Sequence, residues 1–452
     1  MKIIIAGNGK LGNTLTKKLS AEGHDVTLID NKQSVLESTI ETYDVMTVCG
    51  NCASMSVLKQ AEIDKAELLI AATDADEVNL LCCFTAHSIN PNIHTIARVR
   101  NPEYYEQVYA MRDAFALSMM VNPERQTAVE IERLLKYPGF LKRDTFAKGR
   151  VELVEIKVDK DSRLNNVALS DLNGIVRCKV LVFAVKREDK IITPKGNFVL
   201  KENDHIYVTA PSDTLTVLLK NLGIITHKVK KVIVCGGGRV GFYLAENLIR
   251  NGISVKIVER NYDKCVELAK LLPEANVVCG DASNQQLLAG EGIDDCDALV
   301  TMTGLDEMNM IISLYGINCK VPKVITKIGY DEQLALCDRL GLGSVVCPKK
   351  LSCDSIVRYV RAMQNKTGAA HSVHAIADGM AEALEFRIDE KTMHCGEPFK
   401  TLKIKSNVLI VCITHGAHTE IPNGDSFFNR GDTVIVVTNG DTVIHQFNDI
   451  FL

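Results

Sequence analysis

At 452 residues the chain exceeds one compact core, and its length predicts about three or four domains. Its 46% hydrophobic and 24% charged content excludes a disordered or fibrous chain. Lys and Arg number 52 against 56 Asp and Glu, and a net charge of −4 leaves no electrostatic footprint for nucleic acid.

The N-terminus enters an apolar run at once, without the basic and apolar regions of a secretory leader, which predicts a cytoplasmic protein. The 15 cysteines lie mostly in apolar runs (Cys235, Cys319, Cys412) or on amphipathic helices, as reduced, buried thiols do. No apolar stretch approaches the roughly 20 residues that cross a bilayer, so any membrane connection must come through a partner.

In chain order, β-rich runs at 2–6, 25–30, 45–49, 67–72, 94–98 and 116–121 alternate with helical patterns at 10–22, 32–41, 53–60, 77–89 and 102–110. Continuous apolar strands alternating with helices predict an α/β, doubly wound Rossmann-like domain built on a parallel sheet. A helix at 123–136 follows, and the Pro138-Gly139 pair breaks it. From about 150 the runs "VELVEIKV", "KVLVFAVKR", "NFVL" and "DHIYVTA" predict a small β-rich α+β module with little helix.

The chain then repeats itself. "KIIIAGNGKLGNTL" from Lys2 returns as "KVIVCGGGRVGFYL" from Lys231; "VCGN" ending at Asn51 meets "VCGD" ending at Asp281; "TDADEVN" (73–79) meets "TGLDEMN" (303–309). The small module returns as well, with Pro194, Gly196 and Asp204 meeting Pro422, Gly424 and Asp432. The order is A-B-A′-B′, with expected domains at 1–137, 138–222, 230–365 and 366–452 and a join at 220–230.

Gly7, Gly9 and Gly12, and again Gly236, Gly238 and Gly241, form Gly-x-Gly-x-x-Gly between a strand and a helix. The first glycine permits the turn, the second lets backbone approach phosphate, and the third lets helix and strand pack. An acid ends the next strand in each copy, Asp30 or Glu259, where a carboxylate accepts ribose hydroxyls and repels a 2′-phosphate, favouring NAD or adenosine ligands over NADP. The competing account is that one of the two cradles has lapsed into plain packing.

Thr73 and Thr303 stand at the carboxyl edge of the sheet before an acidic helical turn, which fits helix capping, ligand binding by Thr73 and Asp74, or both. Arg98 and Arg100 end the fifth strand, where the second copy has Lys327 and Gly329; the arginines read either as a phosphate grip or as a solvated pair. Cys49-Gly50-Asn51-Cys52 lacks the second pair that a zinc site needs, so Asn51 and Cys52 read as a small-residue turn beside the adenine ribose. The histidines cluster late (His371, His374, His394, His415, His418) with no matching set in the first half. A dehydrogenase would set catalytic groups from a sizeable second domain against a nicotinamide, and the small β-rich modules point to a sensor instead of an enzyme.

"KIIIAGNGKLGNTL", Asp30, "VCGNCAS", "TDADEVN", "ARVRNPEY" and "MVNPERQTAVEI" together resemble the KTN/RCK domains that regulate potassium conductance, and the A-B-A′-B′ order resembles the peripheral subunit of Trk-type potassium uptake systems. The resemblance implies RCK-N and RCK-C modules in tandem and a cytoplasmic homo-oligomer, expected as a tetrameric ring, at the inner face of the cell membrane. Its partner would be a Trk-type potassium-translocating membrane subunit, gated as NAD(H), ATP or ADP binds. By position, the first site would use Gly7, Asn8, Gly9, Lys10, Leu11, Gly12, Asp30, Asn51, Cys52, Thr73, Asp74 and Arg98. The second would use Gly236, Gly237, Gly238, Arg239, Val240, Gly241, Glu259, Asp281, Ala282, Thr303 and Lys327. The family's Gly-Asp turn stands as Gly50-Asn51 in the first copy, and lysine replaces arginine in the second. The helix at 123–136 is the expected crossover between nucleotide domains. The competing readings are an NAD-dependent oxidoreductase and an RCK-type sensor for a different cation transporter.

Overall fold

A computed structural model describes residues 1–136, 141–146, 151–188, 190–211, 214–222, 228–363, 370, 372–376, 381–405, 407–416, 418–439, 444 and 446–452. The Pro138-Gly139 break, His371 and residues 223–227 of the expected join lie outside these residues.

The first repeat runs β1 (Lys2–Ala6), α1 (Lys10–Ala21), β2 (Asp25–Asp30), α2 (Gln33–Ile40), β3 (Met46–Cys49), α3 (Met55–Gln60), β4 (Leu68–Ala71), α4 (Asp76–Ile89), β5 (His94–Arg98), α5 (Pro102–Ala110), β6 (Met119–Val121) and α6 (Pro123–Lys136). The strands are parallel in the order β3-β2-β1-β4-β5-β6, so the chain reverses direction between β1 and β4 and opens a crevice at their carboxyl ends. β1 and β4 bury nearly every side chain because helices cover both faces. β6 is shorter than the run at 116–121 predicts: Ala116 takes a left-handed φ of 53°, closing a turn that delays the strand to Met119.

Next come β7 (Lys142–Phe146), β8 (Val151–Lys157), α7 (Leu172–Val176), β9 (Leu181–Arg187), β10 (Lys190–Ile192), β11 (His205–Pro211) and α8 (Leu215–Asn221). Here the sheet order is β10-β9-β11-β8-β7, with antiparallel pairs. The "NFVL" run contributes only an isolated bridge, Ala168 to Val199, while α7 and α8 add helix that the alternating pattern concealed.

The second repeat mirrors the first in β12 (Lys231–Cys235), α9 (Arg239–Arg250), β13 (Ser254–Glu259), α10 (Tyr262–Leu271), β14 (Asn276–Cys279), α11 (Gln285–Gly290), β15 (Ala298–Thr301), α12 (Asp306–Asn318), β16 (Lys323–Lys327), α13 (Leu334–Arg339), β17 (Ser344–Val346) and α14 (Pro348–Met363). Its sheet order is β14-β13-β12-β15-β16-β17. The last module, β18 (Ser372–Ile376), β19 (Ala381–Arg387), β20 (Val408–His415), β21 (His418–Glu420) and β22 (Thr433–Asn439), orders its strands β18-β19-β22-β20-β21, the arrangement of the earlier small sheet.

The chain forms two compact units. One holds Met1–Ala128, Gly329–Asp331 and Cys347–Val357; the other holds Val129–Ile328, Glu332–Val346 and Arg358–Leu452. Each unit thus takes a helix segment from the other repeat. In the first, Asp354 of α14 pairs with Lys18 of α1 at 2.5 Å and Ser352 donates to Gln126 at 2.8 Å. In the second, Asn251 donates to Glu132 of α6 at 3.1 Å, and the two small sheets share a core of Val151, Leu153, Phe183 and Tyr207 with Ala383, Val411 and Ile435. Among the described residues, no helix is long and apolar enough to cross a membrane.

Candidate functional site

In the first repeat β1 hands the chain to α1 through Gly7-Asn8-Gly9. Gly7 takes φ +99°, and a Cβ on it would stand 2.9 Å from the Thr73 amide nitrogen, so only glycine fits where the turn crosses the end of β4. Asn8 donates its backbone N–H to Asp30 Oδ2 at 2.7 Å, and Lys32 N–H reaches Oδ1 at 2.9 Å. The acid therefore braces the glycine loop while each oxygen keeps capacity for another donor. No side chain caps α1 at Gly9, and a Cβ there would meet nothing within 4 Å; the helix N-terminus opens onto free space.

Thr73 follows β4 at the same edge. It does not cap α4, whose preceding residue is Ala75; instead its N–H and Oγ1 donate to Asn79 Oδ1 at 2.8 and 2.7 Å. Asn79, fully buried, also donates to the carbonyls of Thr73 and Arg98 at 3.2 and 2.9 Å, tying β4 to β5. The Arg98 guanidinium lies 3.3 Å from the Thr73 carbonyl and 3.6 Å from the exposed Asp74 carboxylate. Its Nε is buried with no partner among the described residues, and desolvation, with Arg100 nearby, lowers its pKa. An unpartnered guanidinium donor at the same carboxyl edge as the open N-terminus of α1 suits an anion. Arg100 instead donates Nε and a terminal amino group to Glu124 Oε1 at 2.7 Å, so the two arginines make no joint grip.

Asn51 folds onto the Ala53 N–H at 3.0 Å, while Cys52 is buried in the core beside Cys82. Lys10 is exposed, with Nζ 4.1 Å from the Tyr330 ring centroid; Leu11 is buried.

The second repeat reproduces this frame. Gly236 takes φ +117° against the Met302 carbonyl, Gly237 N–H donates to Glu259 Oε2 at 2.8 Å, and Asn261 N–H reaches Oε1 at 2.8 Å. Thr303 donates N–H and Oγ1 to Asn309 at 2.7 Å each, and Asn309 donates to the carbonyls of Thr303 and Lys327. Lys327 Nζ donates to the Thr303 carbonyl at 2.9 Å, Gly238 is open, and Arg239 is exposed with Val240 half-buried. Asp281 accepts the Ser283 N–H at 2.8 Å, which holds its carboxyl below the usual range, and Ala282 is buried in the core. One difference is internal: Asn8 donates to Thr39 at 2.6 Å, whereas at Gly237 a side chain would overlap Leu268. Asn79 and Asn309 are the organising residues that motif reading missed. Their signal was available, since an asparagine stands six residues after the edge threonine in both copies.

The family model of the TrkA-N domain matches residues 3–123 and 232–348, and that of the TrkA-C domain matches 153–223. The chain belongs to the TrkA family. A Trk system potassium uptake protein TrkA homolog of Methanosarcina mazei is 31% identical over 96% of this chain and 97% of its own. TrkA of Vibrio alginolyticus is 29% identical over 96% of this chain and 95% of its own. Among solved structures, the GsuK RCK domain superposes with TM-score 0.63 at 17% identity, covering 97% of this chain and 92% of that one. A GsuK channel bound to NAD superposes with TM-score 0.62 at 18% identity, covering 97% and 77%. Both TrkA-N stretches coincide with the parallel sheets that carry the glycine loops.

Proposed function

We propose that this chain is a cytoplasmic, nucleotide-sensing subunit that gates a membrane potassium-translocating partner of the Trk type. The supporting observation is the twofold loop–acid brace, Asn8 N–H on Asp30 and Gly237 N–H on Glu259, each at an uncapped helix N-terminus. The expected ligand is NAD(H) or an adenine nucleotide such as ATP or ADP; GsuK structures bound to NAD and to ADP support this class. The proposed contacts are those expected from the sequence. Asp30 and Glu259 accept ribose hydroxyls, the backbone from Gly7 to Gly12 and from Gly236 to Gly241 faces the phosphates, and Arg98 or Lys327 adds positive charge. Asn51 and Cys52, with Asp281 and Ala282 in the second copy, stand beside the adenine ribose, and Thr73, Asp74 and Thr303 complete the edge. The four-module division at 1–137, 138–222, 230–365 and 366–452 belongs to the same reading.

Occupancy can shift the gate only by favouring one arrangement of the assembly, and a coupling of about 1–3 kcal/mol per site is typical. Calorimetric titration of NAD, NADH, ATP and ADP should give binding without turnover; steady hydride transfer would overturn the sensor reading. Asp30→Ala should weaken the first site by about 10- to 100-fold, since a charge-assisted hydrogen bond contributes about 1.5–3 kcal/mol, and should leave the second intact. Unchanged affinity would remove Asp30 from the site.

The homo-oligomer rests on a repeated surface feature. On α4, Leu81 and Phe84 are 54% and 50% exposed, and at equivalent positions on α12, Ile311 and Leu314 are 56% and 36% exposed. Apolar stripes of this kind mark contact with another surface. The double variant Leu81→Asp, Ile311→Asp should reduce the particle mass seen by light scattering to that of a smaller assembly, with circular dichroism unchanged.

A further inference from the structure

We propose that Cys265 and Cys279 form an oxidisable thiol pair, a modification site for peroxide that closes to a disulfide behind the acid of the second glycine loop. Several contacts converge on Glu259. It is the cross-strand neighbour of Cys279, since β13 and β14 pair Glu259 with Cys279 in register. Its carbonyl accepts the Cys265 thiol at 3.2 Å and the Gly280 N–H, the residue after Cys279, at 2.9 Å. Its carboxylate holds the Gly237 N–H at 2.8 Å. The two thiols, one on α10 and one at the end of β14, thus flank one residue and lie against each other.

Their exposures differ in the way a two-step oxidation needs. Cys279 is exposed and open to a small oxidant, whereas Cys265 is 7% exposed. Burial, and Cys279 beside it, push the Cys265 thiol up to about 11, so it stays protonated at neutral pH and is the poorer first target of an oxidant. The Cys279 sulfur attacks one oxygen of hydrogen peroxide, the O–O bond breaks, and Cys279 sulfenic acid and one water result. The Cys265 sulfur then attacks the Cys279 sulfur; the S–O bond breaks, the S–S bond forms, and the thiol proton leaves with the hydroxyl as a second water. Two thiols give up two electrons and one peroxide becomes two waters.

Closing the bond removes the thiol donor from the Glu259 carbonyl and draws α10 toward β14, which loosens the carboxylate's hold on Gly237. The first repeat has Leu36 and Cys49 at the equivalent positions and cannot make this link, so the response is confined to the second loop. The consequence for ligand affinity rests on the function proposed above, but the bond itself does not.

The test treats the full chain with hydrogen peroxide, blocks remaining thiols, and maps disulfide-linked peptides by mass spectrometry, with amide exchange of residues 235–241 followed in ligand-free protein. A Cys265–Cys279 link, reversed by dithiothreitol, with faster exchange in the loop, is the expected result. Cys265→Ser and Cys279→Ser should each abolish both changes, and Cys279→Ser doubles as the folding control because its side chain is exposed. In protein that binds ADP when reduced, oxidation should weaken the second site about tenfold and spare the first. Absence of the link, a link between other cysteines instead, or a link with unchanged loop exchange would overturn the proposal. Failure of reduced protein to bind any nucleotide would instead count against the sensor reading, with the peptide map and exchange still deciding this one.

Discussion

Gly9→Ala should abolish nucleotide binding at the first site without measurable loss of stability, while Gly12→Ala should lose both. The two positions belong to one motif but carry opposite constraints. At Gly9 the backbone is extended with φ −68° and ψ −172°, which alanine adopts freely, and an added Cβ meets no atom within 4 Å. The methyl therefore costs the fold little, but it enters the open space at the helix N-terminus where backbone and phosphate oxygens would otherwise approach. At Gly12 an added Cβ would overlap the carbonyl oxygen of Gly7, which is main chain and cannot rotate away. Either α1 lifts off β1 or the Gly7 turn opens, and overpacking of this kind costs about 1–3 kcal/mol. Thermal unfolding paired with calorimetric titration separates the two effects. Retained binding in Gly9→Ala would mean that phosphate does not approach this loop. The same pair, Gly238→Ala and Gly241→Ala, should behave likewise at the second site, where Gly241 packs on the Gly236 carbonyl.

That contrast shows what a motif conveys and what it omits. The strand–helix alternation was legible because β1, β4, β12 and β15 are continuous apolar runs, which a sheet covered on both faces demands. The acids were legible because a brace onto the loop needs a carboxylate at the end of the next strand. Less legible were features set by side chains meeting across distant segments. Arg100 has the same composition and edge as Arg98, yet Glu124, 24 residues on, captures it. Thr73 reads as a helix cap, but the helix begins too late and Asn79 reaches back instead. Cys52 stands in a polar turn, and only the packing of α4 reveals that its thiol joins the core. The small modules were harder still, since a three-residue strand such as β10 and a five-residue helix such as α7 leave no period to detect.

Lys323 is the clearest case of a residue whose state local sequence does not disclose, and replacing it should reshape the pH dependence of stability. It opens β16 at the position equivalent to the exposed His94, yet it is only 5% exposed itself. Its Nζ donates to Ser344 Oγ at 2.8 Å, and Ser344 donates in turn to the Leu141 carbonyl at 3.2 Å. Desolvation pushes its pKa down to about 7 from 10.5. In the unfolded chain the ammonium stays protonated up to its ordinary range, so between these two values the unfolded state binds more protons than the folded one. Stability must then rise with pH across that window, by on the order of 2 kcal/mol from pH 7 to pH 9, and level off above the unfolded value. Lys323→Met keeps the volume and removes the titrating group, so the variant should be more stable than the parent at pH 7 and should lose this slope. Ser344 keeps its bond to Leu141 in the variant, so no buried hydroxyl is stranded. Urea unfolding of both proteins at several pH values measures the difference, and other titrating groups cancel in the comparison. Parallel pH curves for parent and variant would mean that the lysine is as solvated in the folded chain as in the unfolded one.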